Sequence, residues 1–360
     1  MIGPTLGLYF GSRFVKSVAV VFFTIFALIY MVDFVEMLRR TGDNPNASAT
    51  LVAWLSLLHT PAVSEQILPF AVLFGAMASF ITLTRKLELV VARAAGVSVW
   101  QFLTPPILAA LAIGVLAVAV YNPLSAMMKQ QADQIETGVF KSKFLANVTS
   151  MWIRQKSVDG QSILRAEASS DMGLRLAGVS AFVFDPKGKF LERADADDAE
   201  MGNGEWRLNH VIITAPGEEP RRADVYHLAT NLLPSQVVQS FVSPEAVSFW
   251  SLPRVAEETE GAGLDAVGYR LRFQSLLALP ALLAAMVLIA ASFSLKLSRM
   301  GGVGVLVLGG VGAGFVLYVA TKLVSDLGGA GVLSTPVAAW SPAIVANMLG
   351  ALTLLNREDG

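Results

Sequence analysis

Long apolar runs separated by short charged or turn-rich segments organise both ends of this sequence, while its middle alternates like a soluble domain. The first run, Ser17 to Val32, follows Arg13 and Lys16 and stays apolar through Phe34 and Val35. No small-residue cleavage site follows, so the pattern predicts a retained transmembrane helix with Lys16 snorkelling towards headgroups. Thr41-Gly42-Asp43-Asn44-Pro45-Asn46 reads as a turn-rich loop. Leu51 to Leu58, with Trp54, reads as a short helix at the membrane interface. Ile67 to Leu83 is a second span, with Pro69 tolerable near its outer end. Phe102 to Tyr121 is a third, with Pro105 and Pro106 in its first turn. Ser275–Leu295, Gly301–Thr321 and Val332–Leu355 follow near the C-terminus. Each run is close to the ~20 residues that cross about 30 Å of hydrocarbon.

The pattern changes near Asn122-Pro123. From Met151 to Leu232 it is strand and turn. Val179 to Phe184 alternates, Asp185-Pro186-Lys187-Gly188 turns, and Lys189-Phe190-Leu191-Glu192 returns. Gly202-Asn203-Gly204 makes another turn before the strand Trp206 to Ile213, and Gly261-Ala262-Gly263 links back to apolar sequence. Short strands with frequent turns indicate an all-β sandwich or jelly-roll, large enough for its own core. The expected fold class is an α-helical polytopic membrane protein of six transmembrane helices with an inserted extracytoplasmic all-β jelly-roll domain. The expected organisation is three helices over residues 1–122, the β domain over 123–268 and three helices over 269–360. Arg13, Lys16, Arg85, Lys86, Arg93, Lys296, Arg299 and Arg357 fall on one side of the membrane, against Arg39 and Arg40 among short loops on the other. Basic residues favour the cytoplasm. Both termini are therefore expected to be cytoplasmic and the β domain external.

Composition agrees with that reading and closes off other chemistry. Of 360 residues, 54% are hydrophobic and only 15% charged, against about a quarter charged in soluble domains. Mean hydropathy is +0.57. A net charge of −1 gives no reason to expect nucleic acid. There are no cysteines, which excludes disulfides and thiolate metal sites, and His59, His210 and His227 are too scattered to suggest a metal cluster. No phosphate-binding loop, His-Glu-x-x-His or Gly-x-Ser-x-Gly occurs. Nothing resembles a catalytic constellation.

Three features remain. In Thr84 to Ser98, Leu87, Val90, Val91 and Ala94 recur at helical spacing, with Lys86, Leu89 and Arg93 on another face and Gly96 as a C-terminal cap. This predicts a helix of two to three turns across the mouth of a membrane bundle, either a plain connection or a working surface. In the fifth span, Gly310-x-x-x-Gly314 permits close helix approach, either inside one bundle or at a seam between subunits. Asp33, Glu36, Arg39 and Arg40 follow the first span, and Lys322 and Asp326 close the fifth. Lys322 and Asp326 are spaced to pair on one helix face. Arg39 and Arg40 are either interfacial anchors or forks for the phosphates of an anionic lipid headgroup.

These residues also carry a resemblance. The chain resembles, over nearly its whole length, the permease family of the lipopolysaccharide export system, LptF/LptG. The most specific match is Glu88-Leu89-Val90-Val91-Ala92-Arg93-Ala94-Ala95-Gly96-Val97-Ser98, similar to that family's coupling segment. Asp33-Phe34-Val35-Glu36 and Gly314-Phe315-Val316-Leu317-Tyr318-Val319 also match, as does the order of three spans, β domain and three spans. The end of the first span and Trp206-Arg207-Leu208 look more like the LptG branch than the LptF branch.

The resemblance implies a permease subunit without an active site of its own, in the inner membrane of a Gram-negative cell. Two such permeases would enclose a V-shaped cavity for lipopolysaccharide drawn from the outer leaflet. A cytoplasmic ABC ATPase dimer, using ATP and Mg, would dock on the coupling segment, with Arg85, Glu88, Leu89, Ala92, Arg93 and Gly96 as the coupling residues. Glu36, Arg39, Arg40 and Lys322 would line the cavity. Phe26, Gly310, Gly314 and Tyr318 would belong to a gate between the first span of one permease and the fifth of the other. Closure would pass the lipid to the periplasmic β domain and on to single-span LptC-type and periplasmic LptA-type β-jellyroll proteins. No cofactor or metal is expected on this chain, and membrane lipid surrounds it. Two departures stand out. Asp33 occupies a place where some relatives carry lysine, and Ser292-Phe293-Ser294-Leu295-Lys296-Leu297 lacks the Phe-Gly-Pro turn of some relatives.

Overall fold

The computed structural model describes residues 4–41, 48–139, 151–157, 160–170, 173–202, 204–234, 237, 243–261, 265–295 and 303–358. The loop residues 42–46, Asn203, Ala262, Gly263, Lys296, Leu297, Arg299, Gly301 and Gly302 lie outside the described residues, as does the Arg357 side chain. The chain forms two compact units, one of residues 1–129, 248–250 and 270–360, the other of 130–247 and 251–269.

In hydrocarbon each peptide group needs an internal partner, so apolar runs of this length become helices. The first run is α1 (Pro4–Thr41). It is followed by α2 (Ala49–Arg85), the short α3 (Glu88–Ala94) and α4 (Val99–Leu116). Among the described residues six helical segments are long and apolar enough to cross a membrane, which makes this a multi-pass membrane protein with a β insert between the third and fourth spans. The expected interfacial helix at Leu51–Leu58 is not separate. It is the first part of α2, whose 37 residues run unbroken through Pro61 and Pro69. Extra donors serve carbonyls in this stretch: Thr60 Oγ1 bonds Ser56 O at 2.7 Å and Ser64 Oγ bonds Thr60 O at 2.8 Å. Ser48 caps the helix start by accepting from the Leu51 amide at 3.2 Å.

The third span is also longer than its apolar run. After α4 the chain makes a π-helical turn, Ala117–Tyr121, and continues as α5 (Asn122–Val139). Asn122-Pro123 looks like a break in sequence, yet proline at the second position of a new helical stretch forfeits little, and the wider π turn absorbs the change of phase. α4 itself starts with a capping box in which the Gln101 amide bonds Ser98 Oγ and the Ser98 amide bonds Gln101 Oε1, both at 3.2 Å.

The membrane unit is completed by α7 (Val267–Ser294), α8 (Val303–Gly329) and α9 (Thr335–Glu358), with α6 (Leu252–Gly261) preceding them in the other unit. α7 is the central helix: 67% of its apolar window is buried, against 6% in α1 and 11% in α8. α9 is bound to α7 through Trp340 Nε1 to Gln274 Oε1 at 3.2 Å and Asn347 Nδ2 to Ala281 O at 2.8 Å. At the end nearest α3, Phe102 stands edge-on to both Phe10 and Phe80, with centroids 5.9 and 5.7 Å away, joining α4 to α1 and α2.

The insert carries one six-stranded antiparallel sheet of order β1-β2-β3-β4-β5-β6. Its strands are β1 (Met151–Ser157), β2 (Gly160–Ser170), β3 (Arg175–Phe184), β4 (Phe190–Met201), β5 (Glu205–Thr214) and β6 (Arg221–Ala229). They follow one another as a meander. The expected β3–β4 hairpin turns at Asp185, whose Oδ1 accepts the Lys187 and Lys189 amides at 2.8 Å each. One face holds the core, including Leu164, Leu176, Ala181 and Leu208 around the fully buried Trp206. The Trp206 indole donates to Gln155 Oε1 at 3.1 Å, and Thr230 Oγ1 donates to the same atom at 2.7 Å, so this polar group in an apolar core is satisfied. The core face changes phase midway along three adjacent strands. Buried positions run 176, 179, 181 in β3, 194, 196, 199 in β4 and 206, 208, 211, 213 in β5. Left-handed Gly178 (φ 62°) and His210 (φ 55°) mark this crease.

Candidate functional site

α3 hangs between the adjoining ends of α2 and α4. Leu87, immediately before it, adopts φ 59°, a left-handed conformation that costs a non-glycine residue about 1 kcal/mol or more. This sharp reversal sets which face of α3 is buried. Leu89 and Ala92 pack inward, while Leu87 and Val91 are 60% and 67% exposed and Arg93 and Ala94 also face out. The sequence pattern grouped Leu87, Val90, Val91 and Ala94 on one apolar face and Lys86, Leu89 and Arg93 on another. The grouping holds only in part: Leu89 is buried while Leu87, Val91 and Ala94 face out, Val90 is half-buried and Lys86 and Arg93 are exposed, because apolar spacing alone cannot say which face meets the bundle. Gly96 closes α3 as expected. With φ 84° it supports a Schellman motif in which its amide bonds Arg93 O at 2.9 Å and the Val97 amide bonds Ala92 O at 3.1 Å. Arg85 is exposed at the end of α2.

Glu88 is engaged within the chain. Its Oε2 accepts from Tyr9 Oη at 2.9 Å and its Oε1 lies 4.0 Å from Arg13 Nη2. Arg13 donates to Tyr9 Oη through Nη2 at 2.9 Å and rests over the tyrosine ring at 5.3 Å. α3 is thereby tied to the first turns of α1. Neither Tyr9 nor its partnership with Arg13 stood out in the sequence.

At the other end of α1, Glu36, Arg39 and Arg40 come together. Arg39 grips Glu36 with two bonds of 3.0 Å and Arg40 Nε adds a third at 2.9 Å. The guanidinium-bearing side chains remain 78% and 65% exposed, so one carboxylate organises two exposed cations. Lys322 is not part of this group: on α8 it pairs with Asp326 at 3.3 Å. Asp33 is half-buried, and its Oδ2 has no hydrogen-bond partner among the described residues.

Gly310, Gly314 and Tyr318 form one stripe of α8 against α2 of the same chain. A Cβ on Gly310 would collide with the Met77 thioether and one on Gly314 with Leu73, while the Tyr318 ring lies 5.3 Å from that of Phe70. The glycines are used for packing inside the bundle. Phe26 belongs to a different cluster on α1, 6.2 Å from Phe22, whose ring in turn meets Tyr121 at 6.0 Å. The opposite face of α8 is bare, with Leu308, Phe315, Val316 and Leu323 each at least 61% exposed.

The most buried charge of the bundle escaped the sequence reading. Glu65, on α2, is 3% exposed and forms an ion pair with Arg272 of α7 at 2.7 Å. It also accepts from Asn122 Nδ2 at 3.1 and 3.2 Å and from Ser125 Oγ at 2.9 Å. The available signal was a lone acid within an otherwise apolar stretch of membrane helix.

The comparisons with known proteins agree with this architecture. The family described as "Lipopolysaccharide export system permease LptF/LptG" matches residues 8–357. The lipopolysaccharide export system permease protein LptG of Escherichia coli strain K12 is 24% identical over 329 residues, covering 89% of each chain. LptG of Escherichia coli O6:H1 matches to the same extent. With nearly all of its membrane unit and the whole of its β insert inside the matched region, the chain belongs to the LptF/LptG family of lipopolysaccharide export permeases.

Proposed function

We propose that this chain is one of two permease subunits of an ABC transporter that lifts lipopolysaccharide from the outer leaflet of the inner membrane. A separate cytoplasmic ATPase dimer, consuming ATP with Mg, supplies the work, and this chain performs no bond chemistry. The observation that carries the reading is α3: a capped two-turn helix between two spans, anchored by Leu89 and Ala92 and presenting Leu87, Val91 and Arg93 outward. Such a face is a ready docking surface for a soluble subunit. Arg85, Glu88 and Gly96 support it by position, contact to α1 and cap respectively.

On this reading the bare faces of α1 and α8 adjoin lipid and the second permease, which is of the LptF/LptG type. Arg39 and Arg40, held by Glu36, meet lipopolysaccharide phosphates, and Lys322 contributes further positive charge. Phe26 and the stripe Gly310, Gly314 and Tyr318 belong to the helices that part for the lipid. The termini are cytoplasmic and the β insert is periplasmic, handing the lipid to LptC-type and LptA-type β-jellyroll proteins. ATP binding drives the change only if the ATPase contacts α3 differently in the open and closed states.

Purification of the tagged chain from its native membrane in mild detergent tests this reading. A stoichiometric ATPase and a second six-span permease are expected. Recovery alone, or only as a homo-oligomer, overturns it in favour of a membrane-anchored sensor.

A further inference from the structure

The Glu65 cluster fastens the two spans that flank α3 near the middle of each, well away from α3 itself. Glu65 lies about 20 residues of helix, or about 30 Å, from Arg85. A carboxylate only accepts hydrogen bonds, so it fixes Asn122 with its NH₂ group inward and Oδ1 turned away. That oxygen accepts from the Phe249 amide at 2.7 Å. Phe249 also stacks on Phe273, next to Arg272, with ring centroids 5.2 Å apart and planes at 15°. Trp250 Nε1 donates at 3.3 Å to Ala119 O within the π-helical turn. On α2, the turn bearing Glu65 receives a second bond from this helix, Tyr121 Oη to Pro61 O at 3.0 Å.

Ser248–Trp250 is where the chain returns from the insert, and it belongs to the membrane unit. We infer that Glu65, Asn122 and Arg272 are positioning residues that fasten this returning segment to the second, third and fourth spans, so that displacement of α3 reaches it through α2 and α4. Stability alone does not account for the cluster, because a buried ion pair is often replaceable by apolar side chains without loss. Its geometry does: each polar atom of Asn122 is committed, one side to Glu65 and the other to Phe249. The transport half of this inference rests on the function proposed above.

The test uses the full chain with its co-purified partners and the double variant Glu65→Leu with Arg272→Met, which removes the charges and keeps the volume apolar. Hydrogen exchange is followed in the peptide covering 245–252, and lipopolysaccharide delivered per ATP hydrolysed is measured in proteoliposomes. The variant is expected to melt as cooperatively as the parent. Exchange at the Phe249 amide is expected to rise about tenfold or more, as for an opened local structure. Lipid delivered per ATP falls while hydrolysis persists. Glu65→Asp with Arg272 intact restores part of the protection, which a mere change of hydrophobic volume would not. Unchanged exchange overturns the fastening, and raised exchange with unchanged delivery per ATP overturns the role in transport. A parent that delivers no lipopolysaccharide overturns the proposed function instead, and the exchange result then decides the fastening by itself.

Discussion

Two carboxylates of the bundle, Glu65 and Glu36, both bind arginine but in opposite surroundings. Each binds arginine at 3.0 Å or less, yet the Glu65 side chain is 3% exposed and that of Glu36 is 36% exposed. Water competes for every contact of Glu36, so its pairing leaves two cations exposed to solvent. Glu65 is shielded from bulk solvent, and the same chemistry becomes a structural commitment. Burial, not bond length, separates the two pairings.

Removing one partner should widen this contrast most. Arg272→Ala strands a buried carboxylate and is expected to destabilise the bundle by about 3–5 kcal/mol in denaturant melts of the purified chain. The matching change on α1, Arg39→Ala, is expected to leave those melts unmoved. A smaller effect is expected for Asn122→Leu, which removes neutral donors and the acceptor for Phe249 and should cost about 1–3 kcal/mol in the same assay. Glu88 stands between the extremes, 29% exposed and paired with Tyr9 and Arg13. Glu88→Gln should cost less than about 1 kcal/mol of stability. Glu88→Lys, which sets two cations facing each other, should uncouple ATP hydrolysis from lipid transport without unfolding the bundle. Coupled transport at the parental rate in that variant would count against α3 as the transmitting element. The smallest effect is expected for Glu36→Gln. It should leave melting unchanged and increase the phosphate-bearing lipid retained in detergent at low salt. High ionic strength should erase the gain, since exposed charges are screened within about 10 Å. If lipid retention does not change at low salt, Glu36 does not regulate the two arginines.

Hydropathy made the six spans legible, and alternation with turn residues did the same for the β3–β4 hairpin and β5. Boundaries were less legible for a physical reason. Pro61 and Asn122-Pro123 look like breaks, but side-chain donors of the same helix at the first and the π turn at the second carry the membrane helix through them. The short helix α3 and its Gly96 cap were readable, while its buried face was not, since both faces carry apolar residues. Glu36, Arg39 and Arg40 were found together because they share one helical turn. Glu65, Asn122 and Arg272 were missed because their cluster joins residues 57 to 207 positions apart, and no local pattern records such a meeting.

The crease in the sheet bears on how faithfully the insert pairs its strands. A regular strand that slips by two residues keeps every side chain on its proper face, so alternation forgives the error. A strand whose facing reverses at Gly178, near Asp198 or at His210 has no such freedom. Shifted by two, it would set one half correctly and leave a wrong-facing residue at the crease. Three adjacent strands share the reversal at one level, so each acts as a template that only the properly aligned neighbour fits.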